Sequence, residues 1–124
     1  MERIRFIEHR GHRILRFDFT GMNAPGEALD TFDRVRELVA TQPPGSLLTL
    51  TDVTGTNYTG EVLKGLQALA AHNKPYVRAA ASVTRTPLQL VAIRASSIHT
   101  KRKLMAFEDE DAAKEWLVEQ AAGD

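Results

Sequence analysis

Cysteine is absent from this chain. Its own side chains can therefore supply no disulfide, thiol nucleophile or thiolate-ligated zinc, and the absence fits a reducing cytoplasm. Net charge is absent as well. Sixteen lysines and arginines balance 16 aspartates and glutamates, so no overall field draws the protein to nucleic acid or to an anionic membrane. No apolar run approaches the ~20 residues of a bilayer-spanning helix. The opening stretch MERIRFIEHR holds no apolar core of a signal peptide. The expectation is a soluble cytoplasmic protein with no stable membrane insertion and no nucleic-acid partner.

What is present suits a globular fold. Apolar residues make up 43% and charged residues 26% of 124 residues. That is enough for a single domain over residues 1–124 whose core needs no staple. Charge is spread unevenly, with Arg3, Arg5, Arg10, Arg13 and Arg16 at the front. Glu108, Asp109, Glu110, Asp111, Glu115 and Glu119 make the tail acidic. Such runs are usually solvated faces.

Periodicity sets the order of elements. In HRILRFDFTG, Leu15, Phe17 and Phe19 alternate with Arg16 and Asp18, the period of a half-buried strand. RIRFIEH precedes it across Arg10-Gly11, a turn in which glycine supplies a positive φ. A helix follows, with Asn23 as its cap, Pro25 in its first turn and Glu27 at its positive end. Leu29, Phe32, Val35, Leu38 and Val39 share one face, and Pro43-Pro44-Gly45 stops the run. SLLTLTDV reads as a strand. After Thr59 a second helix turns Val62, Leu63, Leu66, Leu69 and Ala70 inward, and Asn73 and Pro75 end it. YVRAAASV is a strand whose alanines imply tight cover. Thr86 and Pro87 open a third helix lined by Leu88, Val91, Ala92, Ala95 and Ile98. KLMAF is the last strand, and Glu108–Asp111 open a last helix with Ala113, Trp116 and Leu117 inward. The order ββαβαβαβα predicts an α/β fold: one sheet of about five strands, mostly parallel, with four helices and an antiparallel N-terminal edge strand. That edge invites self-pairing, so a homodimer is expected, and Trp116 is expected to be largely buried against the sheet.

This order, together with TDVTGTNYTGEVLKGL, resembles the STAS domain, the sulfate transporter and anti-sigma-factor-antagonist fold. The stretch echoes that family's strand, Asp-x-Ser/Thr-Gly and helix signature. HNKPYVRAAASV, TPLQLVAI and KLMAFEDEDAAKEWL resemble a bacterial anti-sigma-antagonist-like branch that is also linked to lipid-binding CRAL-TRIO domains. The resemblance spans nearly the whole chain. It implies a regulatory or ligand-sensing module with a regulatory protein as partner, not an enzyme. Asp52, Thr54, Gly55, Thr56, Tyr58 and Thr59 are then the interaction loop. Thr54 and Gly55 match the family's phosphorylatable Ser/Thr and its glycine. The sequence departs from the pattern in one respect. The family helix begins at Ser/Thr-Gly, whereas here the helical signal starts near Thr59 and Glu61, after an extra TNYT. Phosphorylation, a partner or ligand contact, and a plain structural loop all remain readings of this stretch.

Other constellations carry less. Gly55 and Gly60 have P-loop spacing, but Glu61 stands where the phosphate-neutralising lysine belongs. Ser96, Ser97 and His99 lack an orienting acid and an oxyanion hole, so no catalytic residue is assigned. His9, His12 and His72 are too few and too scattered for zinc, so neither a metal nor a cofactor is expected. Lys101, Arg102 and Lys103 form a basic run suited to an anion such as a phosphate or lipid head, without the interleaved aromatics of a base-stacking platform. Met22, Met105, Phe107 and Trp116 are the candidate lining of a pocket for a small apolar ligand or lipid. That pocket supports the alternative function of a carrier or sensor.

Overall fold

The computed structural model describes residues 2–91 and 104–122. The chain opens with a hairpin of β1 (Ile4–His9) and β2 (His12–Asp18), paired antiparallel from Ile4 opposite Phe17 to His9 opposite His12. Arg10 and Gly11 both take positive φ, 52° and 79°. This is the primed two-residue turn whose twist matches that of the strands. Helix α1 (Pro25–Val39) leads to β3 (Leu47–Asp52), and α2 (Gly60–Asn73) leads through one 3-10 turn to β4 (Val77–Val83). Residues 87–91 are helical and form the described part of α3. β5 (Leu104–Phe107) and α4 (Glu110–Ala122) close the described chain. Ala92, Ala95, Ser96, Ser97, Ile98, His99 and the basic run Lys101, Arg102, Lys103 lie outside the described residues.

The five strands lie in sequence order, with β1 at one edge, and every pair after the hairpin is parallel. The expected α/β class and sheet are therefore observed. Alternation splits the core in two. Leu15, Phe17 and Leu47 pack with Phe32, Val35 and Val39 of α1 and Val62 and Leu69 of α2. On the other face Ile14, Leu48, Leu50, Ala79, Ala81 and Val83 pack with Ala113 and Leu117 of α4. The alanines of β4 are the small positions over which α4 lies close.

Several local expectations change. Leu63, Leu88 and Val91, expected to face inward, are exposed. α2 turns Val62 and Leu69 to the core, which rotates Leu63 outward. Asn23 does not cap α1. The N-cap position is Ala24, extended at φ −95° and ψ 122°, and its side chain makes no capping bond. The cause is Pro25: the residue before a proline is held out of the helical region, which fixes the boundary there. Trp116 is half-buried instead of largely buried. α4 turns Ala113 and Leu117 to the sheet, which rotates Trp116 to the rim. There its ring tilts at 52° against Phe107, 5.9 Å away.

Helices α1 and α2 meet at Gly65. A Cβ added there would lie 2.7 Å from Leu29 Cδ2 and 3.2 Å from Phe32 Cδ2. Leu29 can yield at its tip, but Phe32 is buried and cannot. Gly65→Val should gain a few tenths of a kcal/mol in helix propensity and lose more to overpacking. Net destabilisation of about 1–2 kcal/mol is expected in a urea titration.

Candidate functional site

Parallel pairing aligns the carboxyl ends of β2 to β5. Asp18 lies beside Asp52, Asp52 beside Val83, and Val83 beside Phe107. Open α/β sheets place their sites outside these strand ends. The loop 53–59 runs across this edge, held by two kinds of bond. The backbone continues the sheet: Val53 N donates to Val83 O at 3.0 Å and Gly21 N to Thr54 O at 3.3 Å. Asp52 Oδ1 accepts from Thr54 N at 3.0 Å, closing an Asx turn that exposes one side of Thr54. Gly55 follows at φ 77°, where a side chain would be strained.

Thr56 turns inward. It is 4% exposed. Its hydroxyl donates to Phe19 O and accepts from Met22 N at 3.0 Å. Loop 53–59 is thereby latched to the segment leaving β2. Tyr58 is half-buried against the α1–α2 core. Its hydroxyl has no hydrogen-bond partner among the described residues. Burial pushes the phenol well above its ordinary range. The nearby Thr56 side chain opposes this, and the Asp52 charge adds to it. Gly55, Asn57 and Thr59 are exposed. Thr59 occupies the N-cap of α2 without a side-chain capping bond. The six residues singled out in the sequence thus divide. Thr54, Gly55 and Thr59 reach the surface, Asp52 shapes the turn, and Thr56 and Tyr58 hold the loop from below.

Beside Thr54 lies an open, polar depression of about 380 Å³, lined by Thr20, Asp52, Thr54, Val83, Arg85, Glu108, Asp109 and Glu110. Sequence reasoning passed over Arg85 and Thr20. Neither belongs to a motif, and only the alignment of strand ends brings them here. Part of the acidity is neutralised from behind. Glu110 Oε1 accepts from Arg16 Nη2 at 2.7 Å and Nε at 2.9 Å, and Lys114 lies 3.3 Å from Oε2. Burial alone would raise the Glu110 pKa, but bonds and charges from Arg16 and then Lys114 hold it below the usual range. For Asp18, burial is likewise outweighed by hydrogen bonds from the Thr20 hydroxyl and amide and by the charges of Arg3 and Arg16. Both folded-state values are depressed. Their stabilisation is complete above the unfolded values, near 3.8 for Asp18 and 4.5 for Glu110, and is lost as pH falls through the folded ones. The urea midpoint should therefore drop in acid below about pH 4.5, and Glu110→Gln should flatten that slope.

The apolar pocket expected from Met22, Met105, Phe107 and Trp116 does not form. Met22 belongs to the α1–α2 core, whereas Phe107 and Trp116 belong to the α4 face, with the sheet between them. A different apolar pocket of about 210 Å³ lies on the α2 side, lined by Phe17, Phe19, Leu66, Leu69, Val77 and Leu104 among others. Among the described residues no cluster of three or more His, Asp or Glu side chains could hold a metal ion. Nor is any described helix long and apolar enough to cross a membrane. His9 is engaged elsewhere: its Nε2 lies 2.6 Å from Glu115 Oε1, tying the hairpin to α4.

No protein-family model matches the chain, and no curated protein matches it. Among solved structures it is similar to an uncharacterised protein of the DUF3478 family from Shewanella loihica PV-4, described as having a SpoIIAA-like fold. The two superimpose with a TM-score of 0.74 over 92% of this chain and 91% of that one, at 18% sequence identity. The fold expected from the STAS resemblance is thus the fold observed.

Proposed function

We propose that this protein is a non-enzymatic interaction module that binds a regulatory protein through the exposed side of loop 53–59. The supporting observation is the Thr56 latch. A buried hydroxyl bonded to both Phe19 and Met22 holds the loop in one conformation, so Thr54, Asn57 and Thr59 are presented without an ordering cost at binding. The adjoining depression adds Asp52, Glu108 and Asp109 against Arg85, a surface that suits basic side chains on the partner. A phosphate on Thr54 would bring roughly −1.5 to −2 charge to this acidic edge, with Arg85 as the nearby cation. It would act as a switch by tightening the hold on such a basic partner.

The test uses wild type, Thr54→Ala, Thr54→Glu and Asn57→Arg as baits in host extract. Neither side chain belongs to the buried core, so all four should fold, and circular dichroism of each bait checks this. Asn57→Arg should lose partners that the wild type retains, whereas Thr54→Glu should hold them more tightly. Identical recovery by all four would defeat the reading.

A second reading, a carrier of a small apolar ligand, draws on the pocket beside α2. Its 210 Å³ is below the roughly 300–1,000 Å³ of pockets that enclose drug-sized ligands. It would therefore take a ligand smaller than a lipid chain. Native mass spectrometry of the protein from its own host would reveal such a ligand as added mass.

A further inference from the structure

We propose that β1 pairs with β1 of a second copy of this chain, antiparallel about a two-fold axis at Phe6, to form a ten-stranded sheet. This does not rest on the reading of loop 53–59, which lies at the strand ends and not along this edge.

The direction of each backbone group in β1 follows from the hairpin. In a two-residue turn the flanking residues, here His9 and His12, form a hydrogen-bonded pair, and such pairs alternate with non-bonded ones. Beyond the strand, Asp18 N donates to Arg3 O at 2.7 Å, in phase with His9. Arg5, Ile7 and His9 thus point their amides and carbonyls into the sheet. Ile4, Phe6 and Glu8 point theirs outward, at an edge with no neighbouring strand among the described residues.

A two-fold axis normal to the sheet keeps each face on its own side, so only residues of like parity can stand opposite one another. Three registers are short enough to consider. With Arg5 at the axis, like charges meet directly, Arg5 against Arg5 and Glu2 against Glu8, which is destabilising. With Ile7 at the axis, Phe6 faces Glu8 and only those two residues bond. With Phe6 at the axis, Ile4 faces Glu8 and Phe6 faces Phe6, so all three outward residues bond and the ladder has six hydrogen bonds. Side chains favour the same register. Ile4, Phe6 and Ile7 are only half-buried in the single chain, and the second copy covers them. The Phe6 ring already carries the Arg13 guanidinium 3.8 Å from its centroid, leaving the ring edge for its counterpart.

The absence of cysteine makes the test clean. At the axis, a bonded antiparallel pair brings Cα atoms to about 5.5 Å, within the roughly 4.4–6.8 Å that a disulfide spans. Phe6→Cys should cross-link to a covalent dimer under mild oxidation. Arg5→Cys and Ile7→Cys place their thiols diagonally, at roughly 7–8 Å, and should cross-link poorly. Sedimentation equilibrium should show a dimer for wild type. Glu8→Pro removes only an outward amide, so it should yield a folded monomer by circular dichroism. A monomer at about 1 mM wild type, or preferential cross-linking at position 5 or 7, would overturn the proposal.

Discussion

Phe32→Ala should remove about 3–5 kcal/mol of stability, near the upper end for a buried aromatic, and lower the Tm by more than about 10 °C. The ring is 2% exposed and lies 5.1 Å from Phe19, tilted at 59°. Such cost depends on how far the surroundings can collapse into the space. Here they are poorly placed to do so. The wall on the α2 side is Gly65, whose missing Cβ would stand 3.2 Å from the Phe32 ring, so no side chain is available to swing in. The same geometry predicts coupling. Gly65→Val should cost less in a Phe32→Ala background than alone, because the added methyls then enter a void. Urea titrations of the four proteins measure this. Additivity within about 0.3 kcal/mol would show that the two residues do not share a space.

The fold was legible in the sequence where burial is one-sided and periodic. Leu15 and Phe17 alternate with charged neighbours, and the face of α1 repeats from Phe32 to Val35 to Val39. Both patterns reappear as the α1–α2 core. Boundaries were legible less well, because they depend on single-residue competition. Asn23 is a better capping side chain than Ala24, yet Pro25 decides where the helix begins. Trp116 shows the limit of a helical wheel. Its neighbour Leu117 lies over the sheet, and a 100° turn is enough to move the indole from the interior to the rim.

The site was legible only along the chain. TDVTGTNYTG marks a strand, a turn and a helix start, so Asp52 and Thr54 could be placed at the strand end from local chemistry. What the loop touches depends on the lateral order of strands, which periodicity does not encode. Thr20 and Arg85 adjoin Thr54 because β2 and β4 flank β3. The inward turn of Thr56 was hidden for the same reason. Its partners, Phe19 and Met22, are more than 30 residues away, and a threonine among four threonines carries no mark of burial.

Thr56→Val should cost about 2–4 kcal/mol, although it changes the side chain's shape hardly at all. Valine fills the same volume, so neither a cavity nor a clash contributes. What is lost is the hydroxyl. Phe19 O loses its donor and Met22 N its acceptor, in a site only 4% exposed at Thr56. A buried polar group left unsatisfied costs about 1–3 kcal/mol, and two are created at once. Thr56→Ser keeps the hydroxyl and should lose only about 1 kcal/mol for its missing methyl. The serine variant therefore separates the hydrogen bonds from the packing. Amide exchange adds a local readout. Met22 N–H should exchange faster in the valine variant by more than the global loss of stability explains, because its acceptor is gone. If valine and serine variants are equally stable, the hydroxyl is not a latch. If the latch holds the recognition surface, Thr56→Val should also weaken partner binding at a temperature where the protein remains folded, with half-buried Thr54 and exposed Asn57 untouched. Full affinity in a folded Thr56→Val protein would show that the loop needs no preorganisation to bind.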